Sequence, residues 1–496
     1  MATQVTPAGV ICQASSGRVS VRFPLSGRGY SGPQCPWRAG QGRPPMYGDY
    51  EAQRHWMEIT LHTPVAEWYV DTNANNLSYW GLDYPPLSAY QSYAYGKVLQ
   101  AWEPDAFALT ASRGYESPTS KMLMRGSVIF SDFVFTFPAV WAVIASFYPG
   151  APARERLCTV VAMLLQPAAV LIDHGHFQYN NIGLGLTAMA AAAIASNRDC
   201  VGSALFCMAL NHKQMTMYFA PAFFAHLLGK CLQQEGLLNK LVGVAKLGAV
   251  VIVTFAVIWL PFLTSPDLVL KVLQRLAPVQ RGLFEDYVAN FWCVTHTAIK
   301  WKAVFTKAQL WQMCTGATLL AFLPCVAQQI WRPSRYGFLL CLANSAIAFF
   351  MFSYQVHEKS CLLFLLPVTM LAGREPYVAA SLPAVAAFSM YPLLRKDCVA
   401  PAYFGANMLY VCLQSPWLFP LSRVLRVISS ASIVTMAAVH AADAFLDPPK
   451  RYPYLFDLVF VSFSFICFLA AYVYLNYQQV FGRNASNKHK AATKSD

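Results

Sequence analysis

The sequence predicts an all-α polytopic membrane protein. Of its 496 residues, 56% are hydrophobic and 12% are charged, whereas about a quarter of the residues in an ordinary soluble domain are charged. The apolar residues are gathered into runs, most of which approach the ~20 residues that a helix needs to cross a bilayer. A polar, aromatic-rich segment precedes the first run. Together these observations indicate a membrane domain of helices behind a polar loop.

Net charge and cysteine usage exclude several other classes. The formal net charge is +13, but Lys and Arg stand singly or in pairs between apolar runs. This pattern is typical of cytosolic loop anchors and does not indicate nucleic-acid binding. The 14 cysteines are scattered without a Cys-x-x-Cys pair, so we predict neither a metal ligand set nor a disulfide framework.

Four regions follow from the composition. We predict that residues 1–45, rich in Gly, Pro, Ser and Arg and without the apolar core of a signal peptide, are disordered. Residues 46–127 form the polar loop, residues 128–477 the transmembrane helical domain, and residues 478–496 a basic cytosolic tail. The apolar runs of the membrane domain are 128–147, 157–172, 182–196, 201–228, 241–263, 308–328, 337–353, 360–373, 377–394, 402–420, 427–446 and 455–477.

The run 201–228 is expected to be two short spans. It carries Asn211, His212 and Lys213 near its middle, and these residues are costly within one lipid-facing helix. Both of its flanks are basic, which a single crossing would place on opposite sides of the membrane. With a break near Lys213, the chain has about 13 transmembrane helices.

Loop parity then assigns the two sides. Most basic loops fall on one side, which the positive-inside rule makes cytosolic. Eight basic residues fall on the other side as exceptions: Lys271, Arg275, Lys300, Lys302, Arg395, Lys396, Lys450 and Arg451. The loops 46–127, 173–181, 264–307 and 354–360 fall on the opposite side, together with the sequon at Asn76; a second sequon, at Asn484, falls on the cytosolic side. We therefore expect the unusual polar chemistry of this chain on the luminal side.

The first loop is predicted to contain interfacial helices. The stretch from Tyr50 to Thr60 continues well as a helix, and Pro85-Pro86 before Leu87 is typical of a helix start. Such helices would lie in the headgroup plane, anchored by their aromatic residues: Trp56, Tyr90, Tyr93, Tyr95 and Trp102.

Two acids of this loop are candidate general bases. Asp49 and Asp83 each stand just before an inferred helix or at a turn, beside aromatic residues. A carboxylate that is positioned and partly desolvated there is suited to general base catalysis. A helix cap or an ion pair with Arg54 is the alternative role.

The later luminal loops carry further candidates. In DHGHFQYNN (173–181) the two histidines do not share a helical face and no third residue has metal-ligand spacing, so His176 and Gln178 are better suited to hydrogen bonding a hydroxyl-rich substrate. In YQVHEKS (354–360), His357 and Lys359 suit a lipid phosphate, although a snorkelling Lys beside a capped helix end is an equal alternative.

The loop RGLFEDYVANFW (281–292) contributes Glu285 and Asp286, either to a site or to a loop closed by its own salt bridges. The sequence lacks a Gly-rich phosphate loop, a Ser/His/Asp arrangement and an Asp-x-Asp pair. Nucleotide binding and divalent-metal catalysis are therefore disfavoured.

Six motifs, in this order, resemble one known family. They are GDYEAQRHWMEIT, YWGLDYPPLSAY, SRGYES, DHGHFQYN, RGLFEDYVANFW and FSYQVHEKS. The chain resembles, from about residue 45 to 475, the dolichyl-phosphate-glucose-dependent α-1,3-glucosyltransferases of the endoplasmic reticulum. GDYEAQRHW and RGLFEDYVANFW are more similar to the branch that adds the first glucose to a dolichol-linked oligosaccharide than to the branch that adds the second.

The resemblance implies a GT-C fold and an inverting reaction. Glucose would move from dolichyl-phosphate-glucose to the terminal mannose of Man9GlcNAc2-PP-dolichol in an α-1,3 linkage, in the endoplasmic reticulum membrane with the active site facing the lumen. Inversion in one displacement needs one base on the acceptor hydroxyl and a stabilised leaving phosphate. No metal, cofactor or nucleic acid is implied. The family has a first membrane helix before the GDYEAQ loop, and the segment predicted to be disordered stands in its place.

The resemblance also assigns residue roles. Asp49 would be the base, and Asp83 would support the acceptor or donor sugar. His357 would contact the donor phosphate together with Lys359. The remaining expected site residues bind sugar or support the loop: His176, Gln178, Arg54, Glu285 and Asp286. The alternatives are the second-glucose branch and a polytopic lipid or solute transporter, which would carry polar residues at mid-membrane depth.

Overall fold

The N-terminal segment contains a small sheet. The computed structural model describes residues 3–6, 9–14, 17–18, 44–277, 282–284, 286–418 and 422–482. Three antiparallel strands occur, in spatial order, at β1 (Thr3–Thr6), β2 (Gly9–Ala14) and β3 (Gly17–Arg18). The β-branched residues Val5 and Val10, which pair directly, favour extended backbone. The disorder of residues 1–45 stays a prediction, and residues 19–43 lie outside the described part of the chain.

The rest of the described chain is built on helices. Their bounds are α1 (Gly48–His62), α2 (Pro86–Gln100), α3 (Pro118–Ser131), α4 (Phe137–Phe147), α5 (Ala153–Leu164), α6 (Pro167–Val170), α7 (Asn180–Ala195), α8 (Asp199–His212), α9 (Ala220–Leu232), α10 (Leu237–Trp259), α11 (Pro266–Leu276), α12 (Phe291–Thr295), α13 (Trp301–Val304), α14 (Lys307–Trp331), α15 (Arg335–Phe352), α16 (Cys361–Met370), α17 (Pro376–Ser389), α18 (Tyr391–Lys396), α19 (Ala400–Leu418), α20 (Arg423–Phe445) and α21 (Leu455–Val480).

Within the described residues, 7 helical stretches are long and apolar enough to cross a membrane. They are Pro118–Phe147, Ala153–Phe177, Leu237–Phe262, Lys307–Trp331, Arg335–Phe352, Arg423–Phe445 and Leu455–Val480. Two further apolar helices, α7 and α17, are shorter. The structure therefore confirms a helical polytopic architecture, and the number of about 13 spans stays a prediction.

The centre of the membrane domain is α15, which packs against α14, α16 and α21. In the most apolar window of α15, 78% of the residues are buried by protein, against 6% in α10 and in α20. The apolar side chains of α10 and α20 therefore face the lipid, whereas α15 is enclosed by other helices.

The predicted break in the run 201–228 is confirmed. Helix α8 ends at His212, Lys213 has an extended backbone (φ −143°, ψ 113°), and a 3₁₀ turn leads into α9. A lysine in mid-run is costly in lipid, and the break lets this buried side chain find polar partners inside the protein.

The first loop differs in part from the prediction. Helices α1 and α2 are present, and α2 begins at the expected proline. However, every residue of α1 from Tyr50 to Thr60 is buried, so this part of α1 is covered by protein, and its position at the headgroup plane stays a prediction. Trp56 is buried and donates its indole N–H to the Trp80 carbonyl over 2.8 Å. Trp102, which is 74% exposed, remains available as an interfacial anchor.

A π-helical turn carries the chain from the second membrane-spanning stretch, Ala153–Phe177, into the site. This wider turn spans Leu171–Phe177 and ends at Phe177 with a φ of 86°. Gln178 then continues in extended backbone. Insertions of this kind re-aim side chains and are frequent at functional sites. Here the turn directs His176 and Gln178 toward the start of α1.

Candidate active site

Asp49 lies in the first turn of α1, where the partial positive charge of a helix N-terminus favours a carboxylate. Three donors converge on its Oδ2 atom. Lys359 Nζ lies 2.8 Å away, His176 Nε2 2.9 Å away, and the Gln178 amide donates over 2.7 Å. Three of the predicted luminal loops therefore meet at one carboxylate oxygen, although Asp49 and Lys359 are 310 positions apart.

The electrostatics of Asp49 follow from these contacts. Burial raises the pKa of the Asp49 carboxyl, but the neighbouring Lys359 and His176 outweigh burial and hold this pKa well below its usual range. The side chains of Asp49 and Lys359 keep 24% and 20% of their surface exposed. The site therefore presents an ionised carboxylate that a substrate can still reach.

His176 connects Asp49 to a carboxylate that the sequence analysis had not named. Its Nδ1 atom lies 2.6 Å from Oδ2 of Asp397, and both side chains are almost completely buried. Asp397 directly follows α18, in the short loop that was interpreted from its basic residues. The sequence feature that could have identified Asp397 is a single acid at the end of a span, on the side predicted to be luminal. The adjacent Arg395 and Lys396 led to an interpretation from positive charge alone.

Lys213 reaches the same site from the break between α8 and α9. Its ammonium group donates to Gln178 Oε1 over 3.0 Å and also contacts Asn180 Oδ1. It lies 4.8 Å from the centre of the Tyr84 ring, within the range of a cation–π interaction. The sequence indicated Lys213 as a helix breaker, but its place beside Gln178 depends on tertiary packing.

Asp83 is near this second cation. Its backbone carbonyl accepts a hydrogen bond from the Gln214 amide over 2.9 Å, and its half-buried carboxylate interacts electrostatically with Lys213. The two candidate bases therefore have different partners. Asp49 contacts Lys359, His176 and Gln178, whereas Asp83 interacts with Lys213.

Arg54 belongs to a closed cluster farther along α1. Its guanidinium makes two hydrogen bonds to Glu51 (2.7 and 2.6 Å), one to Glu58 (2.8 Å), one to the Ser112 hydroxyl (2.6 Å) and one to the Ala106 carbonyl (2.8 Å). These five bonds use all five N–H groups of the side chain. Arg54 therefore joins the GDYEAQ and SRGYES motifs and has no N–H to offer a substrate.

Glu58 of this cluster is held ionised. Burial raises the pKa of Glu58, but the contact with His55 and the charge of Arg54 outweigh it and lower the pKa to about 2. The Tyr79 hydroxyl donates to Glu51 over 2.8 Å and ties in the YWGLDYPP motif. The contacts of Arg54 are thus structural. All of its N–H groups bond within this cluster, so the alternative of an ion pair between Asp49 and Arg54 is wrong.

Two of the loops predicted to be luminal pair with each other and position Lys359. Val356 forms a parallel bridge with Phe284, and the backbone N–H of Gln355 donates to the Leu283 carbonyl over 2.9 Å. His357 follows the bridge, is half-buried, and precedes the 3₁₀ turn Glu358–Ser360 that carries Lys359. The YQVHEKS loop is therefore fixed by the loop 264–307.

The two acids predicted in RGLFEDYVANFW have different outcomes. Glu285 lies outside the described residues. The Asp286 carboxylate is 67% exposed and its Oδ2 lies 3.9 Å from Lys396 Nζ. Such an exposed pair contributes little free energy, and the contacts of the described residues do not bring Asp286 to Asp49.

Comparison with known proteins identifies the family. The ALG6, ALG8 glycosyltransferase family matches residues 18–474. This chain belongs to that family. It is therefore a glycosyltransferase with membrane-spanning helices, as the motif resemblance predicted.

Curated relatives extend over most of the chain. A protein of Arabidopsis thaliana named "Probable dolichyl pyrophosphate Man9GlcNAc2 alpha-1,3-glucosyltransferase" is 44% identical over 462 residues, which cover 89% of this chain and 85% of the relative. The "Dolichyl pyrophosphate Man9GlcNAc2 alpha-1,3-glucosyltransferase" of Gallus gallus is 38% identical over 503 residues, covering 96% and 97%. A probable enzyme of the same name from Dictyostelium discoideum is 38% identical over 483 residues, covering 91% and 92%.

Proposed function

We propose that this family member transfers glucose from dolichyl-phosphate-glucose to the terminal mannose of Man9GlcNAc2-PP-dolichol, forming an α-1,3 bond with inversion. The names of the relatives support the acceptor and the linkage. The observation that carries the proposal is the accessible Asp49 carboxylate, whose Oδ2 atom receives Lys359, His176 and Gln178. A single ordered carboxylate is the requirement of a one-step displacement.

Asp49 is the general base in this mechanism. The contacts that the described residues make with its carboxylate fall on Oδ2, which leaves Oδ1 for the acceptor hydroxyl. As the acceptor oxygen bonds to the anomeric carbon of glucose, its proton passes to Asp49. The bond between that carbon and the phosphate oxygen breaks at the same time, and the phosphate leaves with the electron pair.

Lys359 has two successive partners. Burial opposes its charge, but Asp49 outweighs burial and raises the pKa of Lys359, so the residue is a cation before substrate binds. A donor phosphate entering beside Lys359 offers it new charge-assisted hydrogen bonds. As Lys359 turns toward the phosphate, the pKa of Asp49 rises and the carboxylate becomes a stronger base. The donor would thereby activate the base that attacks it.

His357 is the proposed second contact of the donor phosphate. It lies two residues before Lys359 in the loop that the Phe284–Val356 bridge fixes. His357→Ala should raise the donor KM while leaving the acceptor KM near its original value. A donor KM and kcat equal to those of the original enzyme would remove His357 from this role.

The proposed location is the endoplasmic reticulum membrane with the site in the lumen. The meeting of Asp49, His176 and Lys359 supports one side for the loops 46–127, 173–181 and 354–360, since their side chains share one site. The sequon residue Asn76 is exposed, so a glycan there, removed by endoglycosidase and absent from Asn76→Gln, is the expected marker. Protease cleavage of the 46–127 loop from the cytosolic face of sealed microsomes would contradict this topology.

A reconstituted assay tests the activity. The purified chain in proteoliposomes is given dolichyl-phosphate-glucose with either the Man9 or the Glc1Man9 dolichol-linked acceptor, and the products are sized and digested with linkage-specific glucosidases. We expect one α-1,3-linked glucose on the Man9 acceptor. Transfer to Glc1Man9 alone would assign the second-glucose reaction, and lipid movement across the membrane without glucose transfer would favour a transporter.

A further inference from the structure

His176 lies between two carboxylates that come from distant parts of the chain. Asp397 Oδ2 is 2.6 Å from its Nδ1 atom, and Asp49 Oδ2 is 2.9 Å from its Nε2 atom. The charged groups facing the ring are Asp397 on one side and Asp49 with Lys359 on the other, and the buried Glu358 also interacts electrostatically with His176; Lys359 Nζ is 3.0 Å from Nε2. The imidazole therefore has one carboxylate at each nitrogen.

Asp397 determines that the Nδ1 atom of His176 is a hydrogen-bond donor. An ionised carboxylate accepts hydrogen bonds but cannot donate them, so the Nδ1 atom of His176 carries a proton. The same negative charge stabilises the doubly protonated ring, whose Nε2–H then donates to Asp49. With 3% of its surface exposed, Asp397 is out of substrate's reach and acts on the reaction through His176.

The position of Asp397 is itself well determined. It ends the turn of α18, where its backbone N–H donates to the Leu393 carbonyl over 3.1 Å. Two residues earlier, Arg395 binds both oxygens of Asp443 (2.5 and 2.6 Å) and one oxygen of Asp457 (2.9 Å), which joins α18 to α20 and α21. The carboxylate that orients His176 is therefore mounted on a braced part of the membrane domain.

We propose that Asp397 is a positioning residue of the transfer reaction: it orients His176 through Nδ1, so that Nε2–H holds Oδ2 of Asp49 and Oδ1 faces the acceptor hydroxyl. The inference rests on the proposed role of Asp49 as the base. It adds that part of the base's machinery lies outside the six family-like motifs, at the luminal end of α18.

The Asp397→Asn variant tests this role because the amide keeps the shape and removes the charge. Without that charge, Nδ1 of His176 is held less firmly and Nε2 is no longer kept against Oδ2 of Asp49, so Asp49 loses a hydrogen-bond donor and its pKa rises. The loss of Asp397's own negative charge by itself lowers the pKa of Asp49. This effect is the smaller one, because His176 lies between the two carboxylates. The acid limb of the pH profile of kcat/KM should therefore move to higher pH, since Asp49 must be ionised to act.

The expected loss of kcat in Asp397→Asn is about 100-fold, the lower end of the range for general base catalysis, with the KM of both substrates little changed. A double-mutant cycle with His176→Gln separates positioning from packing, because contributions of residues that act through one another do not add. The double variant should be no slower than His176→Gln alone. All rates are measured per mole of monodisperse protein in nanodiscs.

Glu375→Gln is the matched control. Glu375 accepts hydrogen bonds from the hydroxyls of Tyr336 and Tyr474 (2.7 Å for Tyr474) and makes no contact with the site residues described above. It should leave the pH profile unchanged. An unshifted acid limb in Asp397→Asn, or losses that multiply in the double variant, would overturn the proposal. If Asp49→Asn is active, the premise has failed; if Asp49→Asn is inactive while Asp397→Asn behaves as the original enzyme, this inference alone has failed.

Discussion

Helix α1 carries two charged clusters that differ in every respect that matters for catalysis. At its first turn, Asp49 receives Lys359 and His176 from loops that are 310 and 127 positions away, and it keeps 24% of its side chain exposed. Along its middle, Arg54 pairs with acids on the same helix, Glu51 and Glu58, and all three are at most 1% exposed.

The difference shows how to separate a structural charge from a chemical one. The Arg54 guanidinium uses each of its N–H groups inside the protein, so its cluster is complete without substrate. The contacts that the described residues make with the Asp49 carboxylate all fall on one oxygen, Oδ2. One of these partners is the cation Lys359, which can bind a substrate phosphate instead. Both clusters stand in the same GDYEAQRHW motif, so the motif alone cannot assign their roles.

The sharpest contrast is expected from Asp49→Asn. The amide retains size and can keep hydrogen bonds, but it cannot accept the acceptor's proton. We expect glucose transfer to fall by about 10³-fold, within the range for loss of a general base, while the melting temperature stays near that of the original protein. Single-turnover transfer with saturating donor measures the rate. Near-normal transfer by this variant would end the distinction between the two clusters.

Arg54→Met should show the opposite pattern. Removing the cation leaves Glu51 and Glu58 buried without their partner, and breaking a buried ion pair in this way costs about 3–5 kcal/mol. The variant should be depleted from membranes and melt at lower temperature. Arg113→Met, which removes an exposed guanidinium 4.4 Å from the Tyr79 ring, is the control and should be mild. A stable but inactive Arg54→Met protein would place Arg54 in the chemistry.

Lys359→Gln should weaken donor use and move a pH limit. Loss of a hydrogen bond to a charged group predicts a fall in kcat/KM for the donor of roughly 10-fold to 100-fold. Lys359 lowers the pKa of Asp49, so in its absence that pKa is higher and the acid limb of kcat/KM moves to higher pH. Lys230→Gln, which removes an ion pair with Asp199, serves as the control. An acid limb that does not move would separate Lys359 from Asp49.

The smallest effect concerns acid stability. The pKa of Glu58 is about 2 in the folded protein against an ordinary 4.5. Its stabilisation is therefore complete above pH 4.5 and is lost as pH falls through about 2. Glu58→Gln should lower the free energy of unfolding by about 1–3 kcal/mol at neutral pH and flatten the loss of stability in acid. Equal acid sensitivity in both proteins would contradict the assignment.

Much of the fold was accessible from the sequence because apolar runs and misplaced charges carry local information. Lys213 in the middle of an apolar run predicted a helix break, and the break is there. Asp49, His176 and Lys359 were named from motifs in three loops that were predicted to be luminal. Their convergence on one oxygen was not predictable, since it depends on how three distant helices pack.

Other features depend on pairs that one sequence does not reveal. The sequence did not show that α1 could be buried, because its acids and arginine neutralise one another at i,i+3 and i,i+4 spacing. Asp397 has no neighbouring motif, and its partner His176 is 221 positions away. The functional meaning of such a residue arises only when the fold places it beside the imidazole.

Chemical rescue of Asp49→Ala by formate tests the central claim most directly. The truncated side chain leaves room for a small carboxylate, which can accept the proton that Asp49 accepted. The account predicts that formate restores part of the glucose transfer in Asp49→Ala, in a concentration-dependent manner, and does not restore it in Arg54→Ala. Transfer by Asp49→Ala at the original rate without formate would contradict Asp49 as the base.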